Sequence, residues 1–173
     1  MSKNVIKTER LEIKSPERKD CMELSELIND YDVIKWLSNT PYPYNFVHAE
    51  EFIERSQVKK LKGEAFNFMI SLNNDLIGGI GVSEFNENSC ELGYWLGKKY
   101  WGQGFATEAV RGMLKEVSIE LDVKKIFASY KLGNEASRNV LQKCGFNEHR
   151  EKIETDTILE KEEVFIEMLL EQK

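Results

Sequence analysis

Residue types suited to chemistry are concentrated between Glu91 and Ala109, ELGYWLGKKYWGQGFATEA. The run ELGYWL has the pattern of a strand, KKYWGQG is a short loop with two glycines, and FATEA opens a long amphipathic segment. In such a loop, glycine lets the backbone take φ > 0 and come close to a ligand. The first N–H groups of the following helix have no partner within the helix and lie at the positive end of its dipole. Gly102, Gln103, Gly104, Phe105, Ala106 and Thr107 therefore form a candidate anion site suited to a pyrophosphate. The motif G-x-x-x-x-G-K-[ST] is absent, which excludes a Walker-type NTPase. G-x-G-x-x-G is absent too, because position 107 is Thr and the next glycine is Gly112, so a dinucleotide fold is not supported. A tight turn that binds nothing is the plainer alternative.

Further candidates flank this stretch. Period-2 geometry puts Glu91, Gly93 and Trp95 on one face of the strand. A carboxylate near a sheet centre costs free energy unless it has a partner or a task. The alternative for Glu91 is a surface position following the Asn86–Ser89 turn. Asn134 and Ser137 stand three residues apart at a helix start and so share a face. Asn134 is also an ordinary N-cap. Tyr31, Trp36, Tyr44 and Phe46 cluster in sequence around Pro41 and Pro43, as an acceptor wall or simply as core.

The elements that must position these residues are legible as periodicities. A first strand is expected over Val5 to Ile13, then a helix capped by Ser15 with Pro16 in its first turn, a short helix over Val33–Leu37 and a loop over Ser38–Phe46. A helix from about His48 to Lys62 ends before Gly63. Three strands follow, at Ala65–Leu72, Leu76–Glu84 and Glu91–Gly97, separated by turn clusters. A helix from Gly104 to about Leu121 has apolar residues on one face, from Ala106 to Leu121. Lys125–Tyr130 reads as a strand, Asn134–Cys144 as a helix closed by Gly145, and Phe146–Lys152 and Glu163–Leu170 as final strands. A strand on either side of a helix implies a crossover and some parallel pairing. The sum is a mixed α/β sheet with helices packed on it.

Composition narrows the function classes. The chain of 173 residues fits one domain, and 41% hydrophobic with 31% charged residues is an ordinary soluble balance. Thirty acidic residues against 24 basic ones give a net charge of −6, which argues against a nucleic-acid footprint. Two histidines and three scattered cysteines (Cys21, Cys90, Cys144) make a metal site an unexpected feature. MSKNVIKTERLEIKS has no long apolar run, so neither a signal peptide nor a membrane anchor is expected, and the cysteines point to a reduced, cytoplasmic setting.

WGQGFA, from Trp101 to Ala106, resembles the acyl-CoA pyrophosphate loop of the GNAT superfamily, [RQ]-x-x-G-x-[GA], with Trp101 in place of the leading Arg or Gln. Four further blocks occur in the order found in the branch that contains ribosomal-protein N-terminal acetyltransferases. They are TERL (Thr8–Leu11), ELGYWL (Glu91–Leu96) continuing into YWGQGFATEA (Tyr100–Ala109), NEAS (Asn134–Ser137) and KCGF (Lys143–Phe146). The resemblance covers nearly the whole chain apart from the segment from about Asp30 to Lys62.

The resemblance implies a single N-acetyltransferase domain over residues 1–173, with a mixed, mostly antiparallel sheet of about six to seven strands and flanking helices. It implies acetyl-CoA as cosubstrate, no metal, and direct attack by a primary amine. The acceptor is a protein N-terminus, such as that of a ribosomal protein, or a small amine or polyamine. The strand carrying Tyr94, Trp95 and Leu96 is expected to splay from its neighbour and pair its backbone with the pantetheine arm. Gly102 to Thr107 would hold the pyrophosphate, and Asn134 would touch CoA. Glu91 becomes a candidate general base through water, and Ser137 a candidate acid toward the leaving sulfur, with Tyr130 as rival. Tyr31, Trp36 and Phe46 would face the acceptor. A homodimer is left open, and no nucleic-acid or membrane partner is expected. The competing functions are a non-catalytic acyl-CoA-binding or regulatory domain and a phosphate-binding module for another nucleotide.

Overall fold

The computed structural model describes residues 1, 3–158 and 160–172. The strands are β1 (Val5–Lys7), β2 (Leu11–Lys14), β3 (Ala65–Leu72), β4 (Asp75–Asn86), β5 (Ser89–Leu96), β6 (Lys125–Lys131), β7 (Asn147–Asp156) and β8 (Lys161–Glu171). The helices are α1 (Cys21–Ile28), α2 (Tyr31–Ile34), α3 (Phe46–Lys62), α4 (Phe105–Glu120) and α5 (Glu135–Lys143). All eight strands join one sheet in the order β1-β2-β3-β4-β5-β6-β8-β7, and every neighbouring pair is antiparallel except β5 with β6.

Alternation along the strands divides the core between two faces. Ile13, Phe68, Val82, Leu92, Ile126 and Met168 pack against Val110, Met113 and Val117 of α4 and Leu141 of α5. Met69, Leu76 and Trp95 face the other way and pack with Leu24 and Ile28 of α1 and Ala49 and Ile53 of α3. The β3–β4 turn is made by Asn73 and Asn74, both at φ > 0 (52° and 75°), the conformation that a two-residue hairpin requires. Asn45 caps α3 by accepting from the His48 amide, and Gly63 ends the helix at φ 71°.

The sheet has one strand more than the upper expectation, because Val5–Ile13 is two strands and a turn. The Thr8 hydroxyl accepts from the Leu11 amide (3.0 Å) and folds the chain into a β1–β2 hairpin. Ser15 and Pro16 do not start a helix: the Ser15 amide bonds to Asn4 (3.1 Å) and its hydroxyl accepts from Lys60 Nζ (2.7 Å), which extends the hairpin. A 3₁₀ turn over Arg18–Asp20, capped reciprocally by Glu17 and Asp20, leads into α1 instead. The second helix lies at Tyr31–Ile34 rather than Val33–Leu37, because the Asp30 carboxylate takes the Asp32 amide and sets an earlier start. The last two strands are longer than expected and form one charged hairpin.

Candidate active site

The parallel pair is where the sheet opens. β5 and β6 are joined only at Ser89–Lys125, Cys90–Ile126 and Glu91–Phe127. Past Glu91, β5 stays paired with β4 as far as Leu96–Gly78, and β6 with β8 as far as Lys131–Phe165. The two strands part between them, and the backbone of β5 from Leu92 to Leu96 has no strand ladder on its β6 side. Backbone donors and acceptors set free in this way can pair with an extended ligand.

α4 begins just beyond the open end of β5. The Trp101 indole donates to the Leu96 carbonyl (2.7 Å), so this residue, which departs from the family pattern, fastens the loop to the strand end. Gly102 and Gly104 both have φ > 0 (73° and 82°). The first helical bond runs from the Glu108 amide to the Gly104 carbonyl (3.0 Å), so the amides of Phe105, Ala106 and Thr107 have no partner within α4. Phe105 is buried in the core. The Gln103 side chain donates to the Lys99 carbonyl (2.9 Å).

Sequence reasoning did not single out Arg10 or Glu108, which brace this loop. Glu108 accepts from the Thr8 hydroxyl (2.6 Å), the Arg10 amide (2.7 Å) and Arg10 Nε (2.7 Å). Arg10 Nη1 also donates to the Gln103 carbonyl (3.1 Å), and its guanidinium lies 4.4 Å from the centre of the Phe105 ring. Burial alone would raise the Glu108 carboxyl, but the Thr8 and Arg10 bonds outweigh it and hold the group below its ordinary value. The only trace in sequence is that TERL and FATEA each contain half of the cluster.

Glu91 faces a cleft of about 680 Å³ between the sheet and the chain running from α1 to α3. Gly93, Trp95, Ser129, Glu84 and Glu154 also line it. Trp95 lies against Gly79, where any Cβ would come within 2.6 Å of its indole nitrogen. Burial pushes the Glu91 carboxyl up, Lys152 draws it down, Glu84 pushes it up, Ser129 draws it down and Glu154 pushes it up; the net direction is upward. Lys152 Nζ stands 3.8 Å from Glu91, 2.6 Å from Glu154 and 3.7 Å from the buried Glu167. A partly buried carboxyl held above its ordinary value, with a cation near it, is a candidate proton acceptor.

Tyr94 points to the opposite face and meets α5. Its hydroxyl lies 2.8 Å from Ser137 Oγ and 3.2 Å from the Ser137 carbonyl. Either hydroxyl can be the donor of that pair, and when Tyr94 donates to Ser137 Oγ the single Ser137 proton is left for another acceptor. Burial pushes the Tyr94 phenol well up, which keeps it protonated. Asn134 Oδ1 accepts from the Ser137 amide (3.1 Å), the ordinary N-cap, and holds both residues on the first turn of α5. Tyr130 is a buried core residue.

The proposed acceptor residues separate. Trp36 lines the cleft, whereas Tyr31 (63% exposed) and Phe46 (42% exposed) lie outside its lining, which Tyr44 and Phe52 share instead. Tyr31 and Phe46 each open a helix whose buried residues begin later, at Val33 in α2 and Ala49 in α3.

The model of the acetyltransferase (GNAT) domain matches residues 10–147 of the chain. This protein belongs to the GNAT acetyltransferase family. It is an N-acetyltransferase that takes its acetyl group from acetyl-CoA and delivers it to an amine. Among GNAT relatives, the chain is 30% identical over 167 residues to the Uncharacterized N-acetyltransferase C18E5.08 of Schizosaccharomyces pombe, covering 86% of this chain and 87% of that one. It is 25% identical over 117 residues to the Ribosomal-protein-serine acetyltransferase of Escherichia coli, covering 64% and 65%. The fold superposes on the crystal structure of a GNAT-family acetyltransferase from Bacillus anthracis with a TM-score of 0.83 at 24% identity, covering 96% of this chain and 98% of that one.

Proposed function

We propose that acetyl-CoA lies across the open end of the sheet, with its pyrophosphate on the amides between Gly102 and Thr107 and its pantetheine arm along β5 from Tyr94 to Leu96. The observation that carries this placement is the parting of β5 and β6 immediately past Glu91–Phe127, beside the start of α4. Residues in both places fit the ligand. The loop has its two glycines at φ > 0 and the free amides of α4, and β5 has an unladdered edge. When bound, acetyl-CoA supplies a thioester carbonyl to which the amine adds, forming the N–C bond, before the C–S bond breaks and the thiol leaves.

The residues of the chain divide the remaining work. Glu91 takes the proton of the amine, directly or through water, from the cleft side of β5. The Ser137 hydroxyl, held by Tyr94 and by the Asn134 cap, hydrogen-bonds the leaving sulfur on the other side and assists its protonation. The amide of a β5 residue stabilises the oxygen of the tetrahedral intermediate. The acceptor enters the cleft past Trp36 and is a primary amine. A protein N-terminus is favoured by the likeness to a ribosomal-protein-serine acetyltransferase, and polyamines by the Glu84, Glu91 and Glu154 carboxylates around the cleft. The reaction is assigned to the cytoplasm, in keeping with Cys21 and Cys90 being buried as free thiols. The test is thiol release from acetyl-CoA against a panel of peptides with free N-termini and of polyamines. Turnover with at least one class is expected, and release that no primary amine accelerates would refute the assignment.

A further inference from the structure

Arg10 reaches the loop before α4 from the β1–β2 turn, 93 residues away in sequence, and makes its contact to a backbone carbonyl, that of Gln103 (3.1 Å). The peptide from Gln103 to Gly104 is trans, since the one cis bond among the described residues is Tyr42–Pro43. In a trans peptide the C=O and the next N–H point to opposite sides. Holding the Gln103 carbonyl therefore aims the Gly104 N–H away from Arg10. Glu108 stands on the Arg10 side, 2.7 Å from the guanidinium, and its carboxylate repels an anion there. The Gly104 N–H is thereby turned to the side away from the Glu108 carboxylate.

Nothing in the local backbone fixes that direction. Turning the peptide unit over changes only ψ of Gln103 and φ of Gly104, and glycine accepts either sign of φ. The turned unit would offer a carbonyl oxygen where a donor is needed. Arg10 opposes this with a guanidinium that is itself fixed: Nε is on Glu108, the planar group lies over Phe105, and Nη1 is on Gln103. A rigid fork can span two such acceptors; a lysine ammonium at the end of a flexible stem cannot hold both in the same geometry.

We propose that Arg10 is a positioning residue for the cosubstrate: it locks the Gln103–Gly104 peptide with its N–H presented to the pyrophosphate. The proposal rests on the reading that the pyrophosphate lies on this loop. Arg10→Met and Arg10→Lys are compared with the wild type using acetyl-CoA and S-acetylpantetheine, an acetyl thioester that lacks the pyrophosphate. For Arg10→Met, KM for acetyl-CoA should rise about tenfold, the scale of one hydrogen bond from a charged donor. Its kcat at saturation and its kinetics with S-acetylpantetheine should stay at wild-type values. Arg10→Lys should behave more like Arg10→Met than like the wild type, and it carries the comparison alone if Arg10→Met does not fold. An unchanged KM for acetyl-CoA overturns the proposal, as does an equal loss with both thioesters, which would mark a general packing role. Failure of the underlying placement has a separate signature, a Gly104→Val protein that keeps wild-type KM for acetyl-CoA.

Discussion

Replacing Gly104 by valine tests the placement of CoA with a built-in control. Gly104 has φ 82° and ψ −2°. A β-branched residue in that region costs about 1–3 kcal/mol. The nearest atom to an added Cβ is Arg10 Nη2 at 3.5 Å, an ordinary contact, so the cost is conformational rather than a clash. Valine relieves it by returning to negative φ, which turns the Gln103–Gly104 peptide and sets its bulk beside the amides of α4. Gly63, at the end of α3, has a matching φ of 71° and open space around its Cβ position. Gly63→Val therefore reproduces the strain away from the loop. Both variants should lose roughly 2–12 °C in Tm, the range that this cost implies at this chain length. Calorimetric titration should then show CoA binding to Gly104→Val weakened at least about tenfold, or about 1.4 kcal/mol, and unchanged in Gly63→Val. A folded Gly104→Val protein with wild-type CoA affinity refutes the placement. Equal weakening in both variants would assign the effect to stability.

The other predictions concern the two faces of β5. Glu91→Gln should lower kcat by roughly 10²-fold while sparing CoA affinity, the usual scale for loss of a general base. A base works only when unprotonated, so activity should fall as pH drops through the Glu91 ionisation, which burial places above the ordinary carboxylate range. Glu91→Gln should lose this limb of the pH–rate profile. Lys152→Met removes the cation that draws Glu91 down and should move the limb to higher pH. Matching profiles in wild type and Glu91→Gln would remove Glu91 from the mechanism. Ser137→Ala and Tyr94→Phe should each lower kcat, and the double variant should lose no more than the worse single one, because the two hydroxyls act as one hydrogen-bonded pair. Losses that multiply would show that they act separately.

What the sequence made legible was local. β5 and α4 repeat their apolar residues at the periods of a strand and a helix, and the glycines between them mark the loop, so the elements that flank the opening in the sheet were in view from one continuous stretch. The β1–β2 turn was hidden because Thr8 is β-branched and continues the alternation of a strand, while its hydroxyl and Glu108 make the bend. β7 was cut short because NEHREKIETD carries charge on both faces, as an edge strand does, and leaves no apolar period to follow. The groups that tune the site could not be paired in advance. Lys152 reaches Glu91 across the sheet, Arg10 reaches Glu108 from 98 residues away, and Tyr94 meets Ser137 from 43 residues away. Such contacts are fixed by tertiary packing, to which local periodicity is blind. Tyr31 and Phe46 fall outside the cleft that Trp36 lines for the same reason: an aromatic at the first position of a helix can face either way, and both are exposed.

The most direct test of direct acetyl transfer is intact-mass spectrometry of the protein and a primary-amine acceptor after incubation with acetyl-CoA, with released thiol counted in the same tube. The account predicts one acetylated amine for each thiol released, and an unmodified protein mass when acetyl-CoA is present without acceptor. A protein that becomes acetylated in the absence of amine and passes that group on, or thiol release with no acetylated amine, would contradict direct attack in the opening between β5 and β6.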